Sequence, residues 1–235
     1  MGTLWELALD VLLPRACAHC RRDLSRADGP LCARCARELP PPADPACVRC
    51  GGTRGAAPFC ASCRKGPFAC RLIRAHASHA GAAASLVHAF KFRGNRRAAL
   101  EAGRRMALSL ALRPELRGFD ALCPVPAHPS RERERGWNQA EILAREIAAK
   151  TGIPLLTILE RTRKGAPAWT LGRLERSTEL AGAFRARGTA HGRKILIIDD
   201  VAATGTTLEA CARAARQAGA ADAAAYVFAR AGSAT

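Results

Sequence analysis

Residues 195–207 read Ile-Leu-Ile-Ile-Asp-Asp-Val-Ala-Ala-Thr-Gly-Thr-Thr, and this stretch decides the fold. Ile195 to Ile198 form a short, β-branched apolar run, the pattern of a parallel strand covered on both faces. Two acids, Asp199 and Asp200, follow at once. Thr204, Gly205, Thr206 and Thr207 then bend the chain into an apolar-periodic helix through Leu208, Cys211, Ala212 and Ala215. Backbone N–H groups in such a loop, with the positive end of the helix dipole, make a concave anion site that threonine hydroxyls complete. Two carboxylates beside a phosphate need another partner on the same ligand. Ribose hydroxyls donate to carboxylates, and a Mg²⁺ chelated by sugar and diphosphate offsets the remaining charge. A plain strand-to-helix turn, with Thr206 and Glu209 as a capping box, accommodates the same residues.

This segment resembles the phosphoribosyl pyrophosphate (PRPP) motif of type I phosphoribosyltransferases. The resemblance implies that Asp199 and Asp200 hold the ribose hydroxyls. It also implies that Ala203, Thr204, Gly205, Thr206 and Thr207 receive the 5′-phosphate. Ala203 departs from the pattern, because that family usually has Thr or Ser there and so gains a hydroxyl contact.

Cysteine spacing is the second signal. Eight of the eleven cysteines form four Cys-x-x-Cys knuckles, Cys17/Cys20, Cys32/Cys35, Cys47/Cys50 and Cys60/Cys63. Each knuckle presents two thiolates, and four thiolates satisfy tetrahedral Zn²⁺ with no open position, so the expected sites are structural. Two zinc ions are the simplest count, Cys17, Cys20, Cys32 and Cys35 around one and Cys47, Cys50, Cys60 and Cys63 around the other. Spacing alone leaves a crossed pairing open. Disulfides are the competing reading, but no signal peptide with a cleavage site is visible and a reducing cytosol favours metal. His19 lies inside a knuckle and reads as a solvated loop residue. Cys70, Cys123 and Cys211 read as packed side chains.

The 235 residues suit one medium domain plus a small one. Composition shifts from Cys/Pro/Gly-rich loops to periodic segments near Cys70, which divides the chain into an N-terminal helix and zinc-ribbon domain over 1–69 and a second domain over 70–235. Formal charge is +17; eight thiolates remove eight charges and two Zn²⁺ restore four, which leaves +13. Basic residues cluster at Lys91, Arg93, Arg96, Arg97, Arg104 and Arg105, at Arg131, Arg133 and Arg135, and at Arg185, Arg187, Arg193 and Lys194. Such a field suits a polyanion, single-stranded DNA above all, through counterion release. Solvated, arginine-rich helix faces are the blander account, and 5% aromatics leave little for a long base-stacking platform. The apolar residues 4–13 are too few to cross a bilayer and read as a packed helix ended by Pro14, so no transmembrane segment is expected.

Beyond residue 70, strands and helices alternate. Helices are expected over 95–112 and 137–150, with strands over 119–125, 153–159, 195–198 and 223–229. This series gives an α/β fold, a mostly parallel sheet with helices on both faces, whose ligands bind at the carboxyl ends of strands.

A second strand end carries Cys123-Pro-Val-Pro-Ala-His-Pro, then Arg135-Gly-Trp-Asn-Gln-Ala. With the cysteine-rich N-terminus and the C-terminal PRPP motif, this resembles the ComF family of competence-related proteins along essentially the whole chain. The resemblance implies a zinc-ribbon domain joined to a type I phosphoribosyltransferase-like domain. It matches Val125 to Ser130 to a pyrophosphate loop, with Val125, Pro126, Ala127 and His128 as its binding positions, and Arg135, Asn138 and Gln139 to an Arg-Gly-x-Asn-Gln element. Lys91 matches a basic position that approaches the same site. Asn138 reads equally as a helix N-cap paired with Glu141, and His128 equally as a turn residue or a base. Residues 161–176, with five basic residues and one acid, resemble the mobile loop that folds over PRPP, where Arg173 and Arg176 meet the diphosphate. Ala168 and Glu179 depart from that pattern, where relatives usually carry Gln and Asn.

Two functions compete. One is a cytosolic factor that binds PRPP or a related phosphate with Mg²⁺ and handles incoming single-stranded DNA alongside the uptake machinery at the inner membrane, with or without turnover. The other is an active phosphoribosyltransferase of nucleotide metabolism, displacing pyrophosphate from PRPP toward an acceptor that the sequence does not reveal. A glutaminase domain is absent, which argues against ammonia delivery from glutamine.

Overall fold

The computed structural model describes residues 15–25, 27–64, 68–162 and 182–232. The expected helix over 4–13, most of the 161–176 loop, and Ala168, Arg173, Arg176 and Glu179 lie outside them. The strands are β1 (Ile73–Ser78), β2 (Ala121–Pro124), β3 (Leu159–Arg161), β4 (Phe184–Ala186), β5 (Lys194–Ala202) and β6 (Asp222–Arg230). The α-helices are α1 (Ala33–Arg37), α2 (Gly81–Phe92), α3 (Arg96–Leu110), α4 (Pro129–Arg135), α5 (Gln139–Thr151) and α6 (Thr206–Gln217).

Four strands form a parallel sheet in the order β1-β6-β5-β2. Strand β5 is central and apolar on both faces, as its sequence requires. The pleat sends Leu196, Ile198, Tyr226 and Phe228 to one face, beneath α2, α3 and α5. Ile195, Ile197, Ala225 and Val227 go to the other, where α6 and the antiparallel β3–β4 pair cover them. Tyr226 is fully buried, and its hydroxyl meets Ser109 Oγ at 2.6 Å. Gly103 lets α3 approach α5 closely, because a Cβ there would stand 2.7 Å from Glu146 Cβ.

The expected strand over 153–159 does not form as one piece. Pro154 has no N–H to give a ladder, so only Leu155 bridges to Leu122 before the chain turns away and pairs at β3. The strand read over 195–198 is longer than its apolar run, and it carries Asp199 and Asp200 inside its carboxyl-terminal half.

The two cysteine ribbons embrace the β1 edge. Cys17, Leu31, Cys32 and Cys35 join the core on the α2/α3 face, while Cys47, Cys50 and Cys63 join the core on the α6 face. At the two ends of β1, Ile73 N–H donates to Arg49 O (2.7 Å) and Ser78 N–H to Pro40 O (2.9 Å). Between them, Arg113 Nη2 donates to Ala75 O at 2.7 Å. Cys70, Cys123 and Cys211 are buried; desolvation pushes the Cys70 and Cys123 thiols up to about 12, consistent with inert packing.

Candidate functional site

Strands β2 and β5 end side by side, so the loops that follow them open at the same edge of the sheet. Val125, the first residue after β2, donates its N–H to Ile198 O at 2.9 Å. Val125 O accepts from Asn138 Nδ2 (3.0 Å), and Asn138 Oδ1 caps α5 through Ala140 N–H (3.1 Å). Asn138 therefore caps a helix and tethers the loop at once. Glu141 is not its partner and pairs with Arg145 instead. Pro126 and Ala127 are partly exposed, and His128 caps α4, its Nδ1 accepting from Ser130 N–H at 3.2 Å.

The extended backbone of β5 aims consecutive side chains at opposite faces. Asp200, only 6% exposed, faces α2, where Lys91 Nζ meets its Oδ1 at 3.0 Å. Asp199 is half-buried on the other face, and its Oδ1 accepts the Asp200 N–H at 2.8 Å. Desolvation first, and the Asp200 carboxylate second, push the Asp199 carboxyl up to about 7; Lys91, the Asp200 N–H and Arg161 oppose the rise. Two residues beside the acid pair carry no motif in the sequence. Arg161 opens the polar stretch 161–176, yet it ends β3 with its guanidinium 5.3 Å from the Phe184 ring. His79 follows β1 directly, and burial first and Lys91 second hold its imidazole below the ordinary value. Its position just past a parallel strand was the available signal.

After β5, Gly205 caps α6 with φ +80°, and a Cβ there would approach Ile73 Cδ1 to 2.9 Å. Thr204 Oγ1 and Thr206 Oγ1 lie 2.7 Å apart at the helix start, with Thr207 partly exposed beside them. The expected Thr206/Glu209 capping box does not form. Glu209 spends its carboxylate on Ala69 N–H (2.8 Å) and Cys70 N–H (3.1 Å), contacts remote in sequence that local pattern cannot reveal. Ala203 is exposed, and its carbonyl accepts from Arg230. Arg230, 5% exposed, also donates to Ala202 O (2.8 Å) and to Cys50 O (3.1 Å).

Two hollows flank these groups. One of about 490 Å³ runs from Thr204, Gly205 and Thr206 along α6 to Cys50, Cys63 and Phe184. A smaller one of about 300 Å³ is lined by Lys91, Phe92, Arg135 and Trp137. Neither acid lines either hollow, whereas Thr204, Gly205 and Thr206 open into the larger and Lys91 into the smaller. The structure thus brings Val125, Pro126, Ala127, His128, Lys91, Arg135, Asp199, Asp200 and the 203–207 loop to one sheet edge.

The eight knuckle cysteines gather sequentially, Cys17, Cys20, Cys32 and Cys35 in one cluster and Cys47, Cys50, Cys60 and Cys63 in the other, each within 4.8 Å. Cys20 Sγ lies 3.7 Å from Cys32 Sγ, and Cys50 Sγ 3.8 Å from Cys60 Sγ. A tetrahedron with Zn–S bonds of about 2.3 Å has edges of about 3.8 Å, so the sulfurs fit zinc. Disulfides would need about 2.05 Å. Burial raises the Cys17 and Cys47 thiols, but backbone N–H donors outweigh it and bring both down to about 6; Cys32 N–H to Cys17 Sγ and Cys60 N–H to Cys47 Sγ, each 3.4 Å, are among them. His19 is no ligand; its Nδ1 meets Ser85 Oγ at 3.0 Å.

Residues 8–64 match the double zinc ribbon domain and residues 135–235 the phosphoribosyl transferase domain. Over 104 residues the chain is 30% identical to Competence protein F of Haemophilus influenzae, covering 43% of this chain and 45% of that one. Over 153 residues it is 27% identical to the DNA utilization protein YhgH of Escherichia coli, covering 63% of this chain and 67% of that one. Among solved structures, a glutamine PRPP amidotransferase from B. subtilis aligns with TM-score 0.37 at 22% identity, over 54% of this chain and 26% of that one. A purine phosphoribosyltransferase from Pyrococcus horikoshii aligns with TM-score 0.33 at 18% identity, over 55% and 83%. Among the described residues, no helix is long and apolar enough to cross a membrane.

Proposed function

Because the chain is a ComF-like protein, a double zinc ribbon joined to a phosphoribosyltransferase domain, we propose that it binds PRPP with Mg²⁺ at the end of β5 and handles single-stranded DNA during uptake. The observation that carries this reading is the sharing of one strand end by the acid pair and the Gly205 loop. Asp199 and Asp200 offer carboxylates that fit ribose hydroxyls and a Mg²⁺ ion, which takes one or two carboxylates plus substrate phosphates. When bound, that ion would neutralise the diphosphate. The α6 amides and the hydroxyls of Thr204, Thr206 and Thr207 take the 5′-phosphate, with the helix dipole behind them. Lys91 Nζ stands 3.0 Å from Asp200 Oδ1, so a cation already faces that side chain before ligand arrives. The loop over 125–128 and Arg135 face the diphosphate, and Arg173 and Arg176 are its further partners.

Calorimetric titration of Mg²⁺·PRPP into the wild type and Asp200→Ala tests this directly. A loss of at least about tenfold in affinity is expected, the scale of a charged hydrogen-bond pair. Equal affinities would remove the site. The two zinc ions are structural in this reading, since no coordination position is left open.

A second reading, turnover, is favoured by Asp199. A carboxyl held near 7 sits where a group can take or give a proton at working pH. Pyrophosphate release measured against a panel of acceptors separates an enzyme from a binding protein.

A further inference from the structure

Many arginines of the α/β body are neutralised where they stand. Arg74, Arg104, Arg105, Arg145 and Arg213 each reach a carboxylate within 3.2 Å. The turn between α2 and α3, together with α4, behaves differently. Arg93, Arg96, Arg97, Arg131 and Arg133 have no carboxylate partner among the described residues. The guanidinium groups clustered on these two adjoining elements outnumber the carboxylates interleaved with them, Glu132 and Glu134, so the field stays strongly positive.

An aromatic ring stands inside this field. Phe92 is 57% exposed, an unusual position for so large an apolar side chain. The Arg135 guanidinium carbon sits 6.0 Å from its ring centroid, and the His88 ring lies 5.2 Å away, tilted by 41°. Beside Phe92 opens the cleft of about 300 Å³, with Phe90 and Trp137 supplying apolar wall and Lys91, Glu134 and Arg135 the polar groups. That volume lies at the small end of ligand sites, so it suits one planar group and not a run of them. Lys91 reaches from this cleft to Asp200 at 3.0 Å, which sets it at the edge of the proposed PRPP site.

The geometry points to the Phe92–Arg135–Trp137 cleft as the seat of one unpaired base of single-stranded DNA, with Arg93, Arg96, Arg97, Arg131 and Arg133 on the flanking phosphates. Charge alone would admit an acidic peptide. An exposed ring between unpaired guanidinium groups instead matches a strand that offers a π-face and a phosphate at every step. A duplex keeps its bases stacked and would meet only the arginines. This inference rests on the single-stranded DNA part of the function proposed above and locates it.

Fluorescence anisotropy with a labelled oligothymidine, an abasic strand of equal length and a duplex tests it. Phe92→Ala should weaken oligothymidine binding by roughly tenfold, the size of one base–aromatic stack, and leave the abasic strand and the duplex unchanged. Phe92→Trp should restore the lost affinity. Arg96→Gln with Arg97→Gln should weaken all three and lower the salt slope by about one unit per arginine. Equal affinity of Phe92→Ala and wild type for oligothymidine would overturn the cleft, as would an equal loss on the abasic strand. If the wild type binds no oligothymidine at all, the DNA part of the proposed function fails, while the Mg²⁺·PRPP titration still judges the other part. Phe92→Ala should keep the zinc content of the wild type and melt within a few degrees of it, which shows that the variant is folded.

Discussion

Arg230 Nε donates to the carbonyl oxygen of Cys50 at 3.1 Å, and the same buried guanidinium donates to Ala202 O and Ala203 O. A single side chain thus spans the second cysteine ribbon, at its Cys47/Cys50 knuckle, and the loop proposed to hold phosphate. No carboxylate shares the site, so the cation is satisfied by backbone oxygens alone among the described residues. Arg230→Met keeps the bulk and removes the donors. Zinc content should stay at two per chain while affinity for Mg²⁺·PRPP falls on the order of tenfold and stability drops by about 1–3 kcal/mol per stranded carbonyl. Unchanged affinity would show that the guanidinium does not hold the loop.

Zinc removal should act unequally on the two sites. Cys35 packs with the α2/α3 face, whereas Cys63 packs with the α6 face and lines the hollow at Thr204 to Thr206. Cys35→Ala and Cys63→Ala should each lower the zinc count from two to one by metal analysis. Only the second should weaken Mg²⁺·PRPP binding strongly in the same preparations. Equal effects would detach the second ribbon from the loop.

His76 gives the fold a dependence on acid. Burial first, then Arg105 and Arg113, hold its imidazole down to about 4, while Ser109 Oγ lies 2.8 Å from Nδ1 and Phe228 stacks at 5.6 Å. An unfolded histidine titrates near 6.5, so between those values the unfolded chain takes the proton and the folded one does not. Stability from this group is complete above about pH 6.5 and is lost as pH falls toward 4, on the order of 3 kcal/mol in all. In urea melts at pH 7.5 and 5 with zinc present, His76→Gln should lose less stability than the wild type. Parallel losses would discount His76.

Asp199 has the opposite sign. Its carboxyl is raised by burial and by Asp200, so the folded chain holds the proton over a range where the unfolded chain has released it. Its favourable contribution is complete below about pH 4 and is lost as pH rises through 7. Asp199→Asn should therefore melt a few degrees higher than wild type at pH 8, and the gain should shrink at pH 5. A gain of the same size at both would mean that titration is not the cause.

Much of the site was legible because its signals are local. The β5 run, the acids and the Thr-Gly-Thr-Thr turn lie within thirteen consecutive residues, and each states its own backbone preference. Cys-x-x-Cys spacing likewise fixes knuckle geometry without knowledge of the rest. What escaped was long-range. Glu209 looked like a cap because Thr206 stands three residues before it, yet it is held by amides 139 and 140 positions away. Arg230 carries no motif at all, since its role depends on β6 ending beside β5 and the ribbon folding back. Pro154 was a visible warning within the expected strand at 153–159, and the missing ladder there follows from its absent N–H.

Arg49 and Pro40 occupy the side of β1 where another strand would otherwise add. Arg49 sits inside the Cys47/Cys50 knuckle and Pro40 between the two cysteine clusters, so the ion that shapes a ribbon also keeps a shield over an open ladder. A chain stripped by a chelating resin should therefore pair edge to edge with its copies and clump before it unfolds, which makes monodispersity on sizing a more sensitive report of metal loading than helix content.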